Sequence, residues 1–172
     1  MFDPTVFENL KVAFENQIYD LDTLDRKVDI INRIDRLELA VMSREFALQF
    51  TLAGRAEVSA EIQLTASLKD LAAELLEQKG ETPACTLRLR FYMQLSDVNE
   101  QCRQIEDILQ RIWEPEMAPT QTISYLFGDE APSYSNVIEL SFNRKISEEQ
   151  MEDIPELSQH VLQTLAKLVE IV

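Results

Sequence analysis

The sequence predicts an α+β fold: a single mixed, mostly antiparallel sheet of about six to eight strands, with two or three amphipathic helices packed on one face. Three observations carry that expectation. The run 85–95 alternates without a fault, with Cys85, Leu87, Leu89, Phe91, Met93 and Leu95 on one side and Thr86, Arg88, Arg90, Tyr92 and Gln94 on the other. Immediately after it, Val98, Cys102, Ile105, Leu109 and Ile112 recur at helical spacing, widened by Ile108 and Trp113. A half-buried strand therefore feeds a helix whose apolar stripe needs a sheet to cover. Upstream, two further alternating runs flank Gly54 and read as an antiparallel hairpin.

Taken in order, the first segment is two-sided. Asp3-Pro4 suits a helix start, and Phe7, Leu10, Phe14, Ile18 and Leu21 form a helical stripe. Leu10, Val12, Phe14 and Ile18 also alternate, interrupted only by Asn16, and we expect a short turn followed by a strand over about 9–20. Val28, Ile30 and Asn32 then suit a short strand, and Leu37, Leu39 and Val41 another. The hairpin sets Phe46, Leu48, Phe50 and Leu52 against Val58, Ala60, Ile62 and Leu64, with one buried face and one wet face.

The segment 67–80 reads as a whole helix. Ser67 and Asp70 make a capping box, Leu68, Leu71, Ala72, Leu75 and Leu76 the stripe, Lys79 suits the C-terminal dipole, and Gly80 the stop. In the next helix Ser96 is the expected cap, with Asp97 and Glu100 in the first turn. After Pro115 and Pro119, residues 120–127 read as a strand with Ile123, Tyr125 and Phe127 inward. Residues 128–136 are a loop, and 136–143 return with Ile138, Leu140 and Phe142 inward. Finally Ser147 and Gln150 suggest a capping box, with Leu157, Val161, Leu165, Leu168 and Val172 as a stripe that Pro155 kinks or restarts. Strand–helix–strand succession around the helices at 67–80 and 97–113 allows parallel neighbours, hence the mixed sheet. The length of 172 residues and the lack of any linker-like stretch suit one domain over 1–172.

Composition narrows the function classes. With 31 acids against 16 bases the net charge is −15, which repels phosphate backbones and anionic headgroups. Neither nucleic acid nor membrane is an expected partner. No apolar run approaches a membrane span and residues 1–10 lack the pattern of a signal peptide. The two cysteines, Cys85 and Cys102, fall on apolar faces, so free buried thiols and a cytoplasmic location are expected.

Residues that could carry chemistry are few. The single histidine, His160, sits beside the stripe residue Val161 and reads as a boundary residue. The three glycines are isolated, so no phosphate loop is present, and no paired-cysteine zinc motif occurs. Asp20, Asp22 and Asp25, with Asp29, are the weak candidates for a hard cation, but Arg26 and Lys27 lie among them and a solvated turn explains them better. Glu148, Glu149, Glu152, Asp153 and Glu156 form an acidic patch begun by helix-dipole preference. Arg88, Arg90 and Tyr92 offer an anion-contacting strip, against which stands cross-strand pairing of an arginine with Glu57 or Glu61.

No cofactor is expected. The leading expectation is a non-catalytic protein acting through protein contacts, with a protein partner or as a homodimer. The alternative is a small-ligand or metal-binding protein, or an enzyme, with a pocket near the 113–120 and 128–136 loops, lined by Trp113, Tyr125 and Tyr134.

Overall fold

A computed structural model of the chain describes residues 5–77 and 79–172. The elements run α1 (Val6–Thr23), β1 (Val28–Glu38), β2 (Ser43–Leu52), β3 (Arg55–Ala66), α2 (Leu68–Leu75), β4 (Thr86–Leu95), α3 (Val98–Trp113), β5 (Thr120–Ser124), β6 (Tyr134–Ser141), a short 3-10 turn (Glu148–Asp153) and α4 (Ile154–Val169). The α+β class is as expected. The six strands form one sheet in the order β1-β2-β3-β4-β6-β5, and every pairing is antiparallel. The expected mixed sheet is therefore corrected. The excursion through α2 leaves β3 and returns to the same end of the sheet, so β4 lies antiparallel beside it.

The N-terminal segment is a helix, not a strand. Phe7, Leu10, Phe14, Ile18 and Leu21 are all buried along α1, while Val12, which the strand reading needed inward, is 48% exposed. Five buried positions at helical spacing outweigh an alternation that Asn16 interrupts and Val12 breaks. Thr5 caps the helix, its side chain accepting from the Glu8 amide at 3.2 Å, and Glu74 of α2 accepts from the Val6 amide at 2.7 Å. The Asp3-Pro4 start lies outside the described residues.

A single strand, β1, replaces the two expected over 28–41. It holds a bulge at Ile31: Ile30 opposes Phe50, and Asn32 opposes the very next residue, Gln49. The extra residue shifts the phase, so that Val28 and Ile30 face the core before it, and Arg33 and Asp35 fall on that side after it. Residues 39–42 form the turn into β2. The β2–β3 hairpin turns at Gly54 with φ +72°, a conformation that glycine adopts without strain.

The core gathers Phe46, Leu48 and Phe50 of β2, Val58, Ile62 and Leu64 of β3, and Leu89 and Phe91 of β4. Buried side chains of α1, α3 and α4 complete it. Helix α4, last in the chain, touches α1 as well as β2 and β3. The opposite side of the hairpin is less wet than expected: Ser59, Glu61 and Gln63 of β3 are buried too. Long neighbours fold over this central strand, Gln49 donating to Ser59 at 2.8 Å and Gln63 to Glu45 at 2.8 Å.

Other boundaries move for local reasons. Helix α2 ends at Leu75, short of Lys79 and Gly80, as Glu77 takes a positive φ of 45°. Its capping box at Ser67 and Asp70 is present. In α3 the cap is Asp97, not Ser96, accepting from the Glu100 amide at 3.1 Å. Strand β5 stops at Ser124 because its partner β6 begins at Tyr134, leaving 125–127 without a cross-strand neighbour. Tyr125 and Phe127, expected inward, are exposed, as is Phe142 just past β6. The Ser147–Gln150 capping box opens the 3-10 turn, and Pro155 begins α4 rather than kinking one helix. Val172, expected on the stripe, is exposed. Among the described residues no helix is long and apolar enough to cross a membrane.

Candidate functional site

Strand alternation places Arg88, Arg90 and Tyr92 on the polar side of β4, where the register sets them between β3 and β6. Arg90 opposes Glu61 on one side and Glu139 on the other. Its Nη1 lies 3.3 Å from Glu61 and its Nε 2.8 Å from Glu139, while the Tyr92 hydroxyl donates to Glu61 at 3.1 Å. The expected cross-strand pairing is present, through Glu61. Glu57 instead meets Arg55 at 3.1 Å. Burial opposes the charge on Arg90, but Glu139 and Glu61 outweigh it and hold the guanidinium protonated more firmly than usual. Burial and then Glu61 push the Tyr92 hydroxyl up. Arg88 lies between Gln63 and Ser141 with no ion-pair partner among the described residues. The strip is thus a charge-balanced cross-strand network with one arginine to spare.

The aspartates are dispersed by the fold. Asp20 and Asp22 ride the last turn of α1, Asp25 sits in the turn that follows, and Asp29 is on β1. Asp22 accepts from the Ile30 amide at 3.3 Å and Asp29 from the Gly54 amide at 3.1 Å. Asp22 thus fastens α1 to β1, and Asp29 fastens β1 to the β2–β3 turn. Among the described residues no cluster of three or more His, Cys, Asp or Glu could hold a metal. Both cysteines are free, and burial pushes the Cys85 thiol up to about 12.

A concave site exists where α3 ends. A cleft of about 460 Å³ opens between the end of α3, the 142–146 loop and the start of α4. That volume is in the range of small-molecule sites, roughly 300–1,000 Å³. Its apolar lining includes Leu87 and Leu140, from the core faces of β4 and β6, with Trp113, Phe142, Ile146 and Leu157. Trp113 is fixed on two sides. Its Nε1 donates to Thr164 Oγ1 at 2.9 Å, and its ring meets His160 edge-on at 5.3 Å and Phe142 at 6.4 Å. Glu114, at φ 42° and ψ 57°, ends the helix in the left-handed region and turns Pro115 and Glu116 along the cleft. Arg144, Lys145 and Asp153 supply further charge, and Lys145 is paired with Asp70. Burial raises the Asp70 carboxyl, yet Lys145 and Ser67 bring it below the usual range.

This cleft takes Trp113, Pro115 and Glu116 from the 113–120 segment, and no residue of 128–136 lines it. Tyr125 and Tyr134 pack on each other, 5.6 Å between rings, beside the opposite end of β6. Pro115, two residues after Trp113, was the sequence signal that a helix ends there with its aromatic residue at the mouth. Nothing comparable marked Phe142.

The same end of the sheet carries exposed apolar surface. The β1–β2 turn and both ends of α2 leave the sheet there, as the register of Arg44 with Ala66 shows. Leu39, Val41 and Met42 of the turn are 73%, 60% and 43% exposed, and Leu68, Leu75 and Leu76 around α2 are 55%, 66% and 69% exposed. Of the expected stripe of α2, Leu71 and Ala72 are therefore only part-buried and the three leucines at its ends are uncovered; the buried residue of the helix is Ala73, outside that stripe. Compared with protein-family models, with curated proteins and with solved structures, the chain finds no match.

Proposed function

We propose that this chain is a protein-binding module, working in the cytoplasm and engaging a partner of basic character through the end of the sheet that carries the β1–β2 turn and α2. The observation that carries this reading is the uncovered apolar set Leu39, Val41, Met42, Leu68, Leu75 and Leu76 on two elements leaving the sheet at one end. Exposed apolar side chains are ordinary when scattered, but a concentration of them marks a contact surface. The net charge of −15 favours a basic partner over a second copy, since two such chains repel. The two free cysteines support a reducing compartment.

Co-purification from the native host tests this, comparing the native chain with Val41→Ser/Leu75→Ser. Both positions are exposed, so the fold is retained by circular dichroism. The native chain retains a partner with excess Lys and Arg, and the variant loses it. Equal recovery by both chains removes this surface from the proposal.

The Trp113 cleft favours a second reading, the binding of a small apolar or aromatic ligand. Trp113 is the only tryptophan in the chain, so its fluorescence reports on the cleft directly. A metabolite screen that shifts both emission and melting temperature supports this reading, provided Phe142→Ala weakens the response. Emission unchanged across the screen counts against it.

A further inference from the structure

The sheet has two free edges, and they are built differently. Strand β1, at one edge, carries Asp29, Arg33, Asp35, Arg36 and Glu38 and is broken by the bulge at Ile31. Charges and bulges are how proteins keep an edge strand from pairing with another chain. Strand β5, at the other edge, has neither device. The stretch 120–127 contains no charged residue and no proline, and its ladder with β6 runs without a register shift. Its outer side meets no further strand, and its backbone makes no hydrogen bond outside that ladder among the described residues. Beyond the strand, Tyr125, Leu126 and Phe127 are 64%, 78% and 101% exposed.

We infer that the β5 edge accepts an extended segment of a partner protein as a seventh strand, and that this segment carries basic residues on both sides of an uncharged, β-forming centre. In strand addition, main-chain hydrogen bonds supply affinity and flanking side chains supply selectivity. Here the flanks are acidic at both ends, with Glu114 and Glu116 before β5 and Asp129 and Glu130 after 127. A second copy pairing edge to edge, parallel or antiparallel, sets acid against acid at each end, so the charge pattern selects a different chain. A lysine-flanked or arginine-flanked segment is complementary in either direction. The inference rests on the reading of the chain as a protein-binding module but uses a surface at another edge.

The test is amide exchange of the full chain with a nine-residue probe peptide of alternating valine and threonine between paired lysines. The same peptide with paired glutamates is the control. With the lysine-flanked peptide, alternate amides of β5 exchange more slowly while those of β1 do not change. The glutamate-flanked peptide leaves β5 unaffected. Thr122→Lys, at an exposed edge position, weakens binding of the lysine-flanked peptide about tenfold or more. Unchanged β5 amides with the lysine-flanked peptide overturn the inference, as does equal slowing by both peptides. A native chain that dimerises alone, and is returned to monomer by Thr122→Lys, assigns the edge to a second copy and overturns it too. Val41→Ser/Leu75→Ser leaves peptide protection at β5 intact, so failure at one surface is distinguishable from failure at the other.

Discussion

At the scale of single residues, Arg90 shows how an acidic chain spends one of its few bases. It lies between Glu61, whose side chain is 9% exposed, and Glu139, and Tyr92 completes the coordination of Glu61. A carboxylate this deep needs every donor it has. Arg90→Ala is expected to cost about 1.5–3 kcal/mol, the range for a lost hydrogen bond to a charged group, measured by urea unfolding. Adding Glu61→Leu removes the stranded charge and recovers most of the loss. A double variant as unstable as the single one counts against the pairing as the cause. This contact was legible in the sequence, because outward residues on strands of matching polarity must meet if the strands are neighbours. Which glutamate pairs was not legible. Opposing Glu61 rather than Glu57 to Arg90 depends on the register of β3 on β4, which no local pattern states.

Between elements, the α1–β1–β2 contact was the least legible part of the fold. Its agent is the bulge at Ile31, which brings Asp35 to the helix side of a strand whose residues otherwise alternate. Asp35 there meets Lys11 at 2.6 Å and Arg44 at 3.0 Å, while Arg44 also pairs with Glu8 and stacks over Phe7. A period-2 reading cannot register an inserted residue, so it split β1 into two short strands. The same blindness made α1 ambiguous, since the residues that favour a strand there share Leu10, Phe14 and Ile18 with those that favour a helix and differ in Val12.

The network has a pH signature. Burial raises the carboxyls of Asp35 and Glu8, but Lys11 and Arg44 hold Asp35 below the ordinary 3.8, and Arg44 with Lys11 holds Glu8 below 4.5. Depressed carboxylates stabilise the folded state above those ordinary values, and the contribution is lost as pH falls through the folded values. The Asp35 hydrogen bond, offset in part by burial, raises Lys11 above 10.5, so its share persists below that and is lost as pH climbs through the raised value. Asp35→Asn should therefore lower stability by roughly 1 kcal/mol near neutrality and make progressively less difference as pH falls below 3.8, by urea unfolding at each pH. A deficit that stays constant with pH would place the effect in packing rather than charge.

Across the whole molecule, four strands in succession, β1 to β4, are sequence-adjacent neighbours in the sheet, and only the inversion of β5 and β6 breaks that order. The β2–β3 hairpin at Gly54 is what a short turn dictates, and it was legible; the antiparallel return of β4 beside β3 through α2 was not. The inversion was not, because it turns on which edge of β4 remains free once α3 has crossed back. Helices α1 and α4, the first and last in the chain, nonetheless touch each other and share one core with the sheet. That closure has a consequence in time. The hairpins can form as the chain is made, since their partners are a few residues away. Leu10, Phe14 and Ile18 of α1, however, wait for Val161, Leu165 and Leu168 of α4, well over a hundred residues later. During synthesis the apolar side of α1 therefore stays incompletely covered until α4 has left the ribosome, which makes completion of this core a late event.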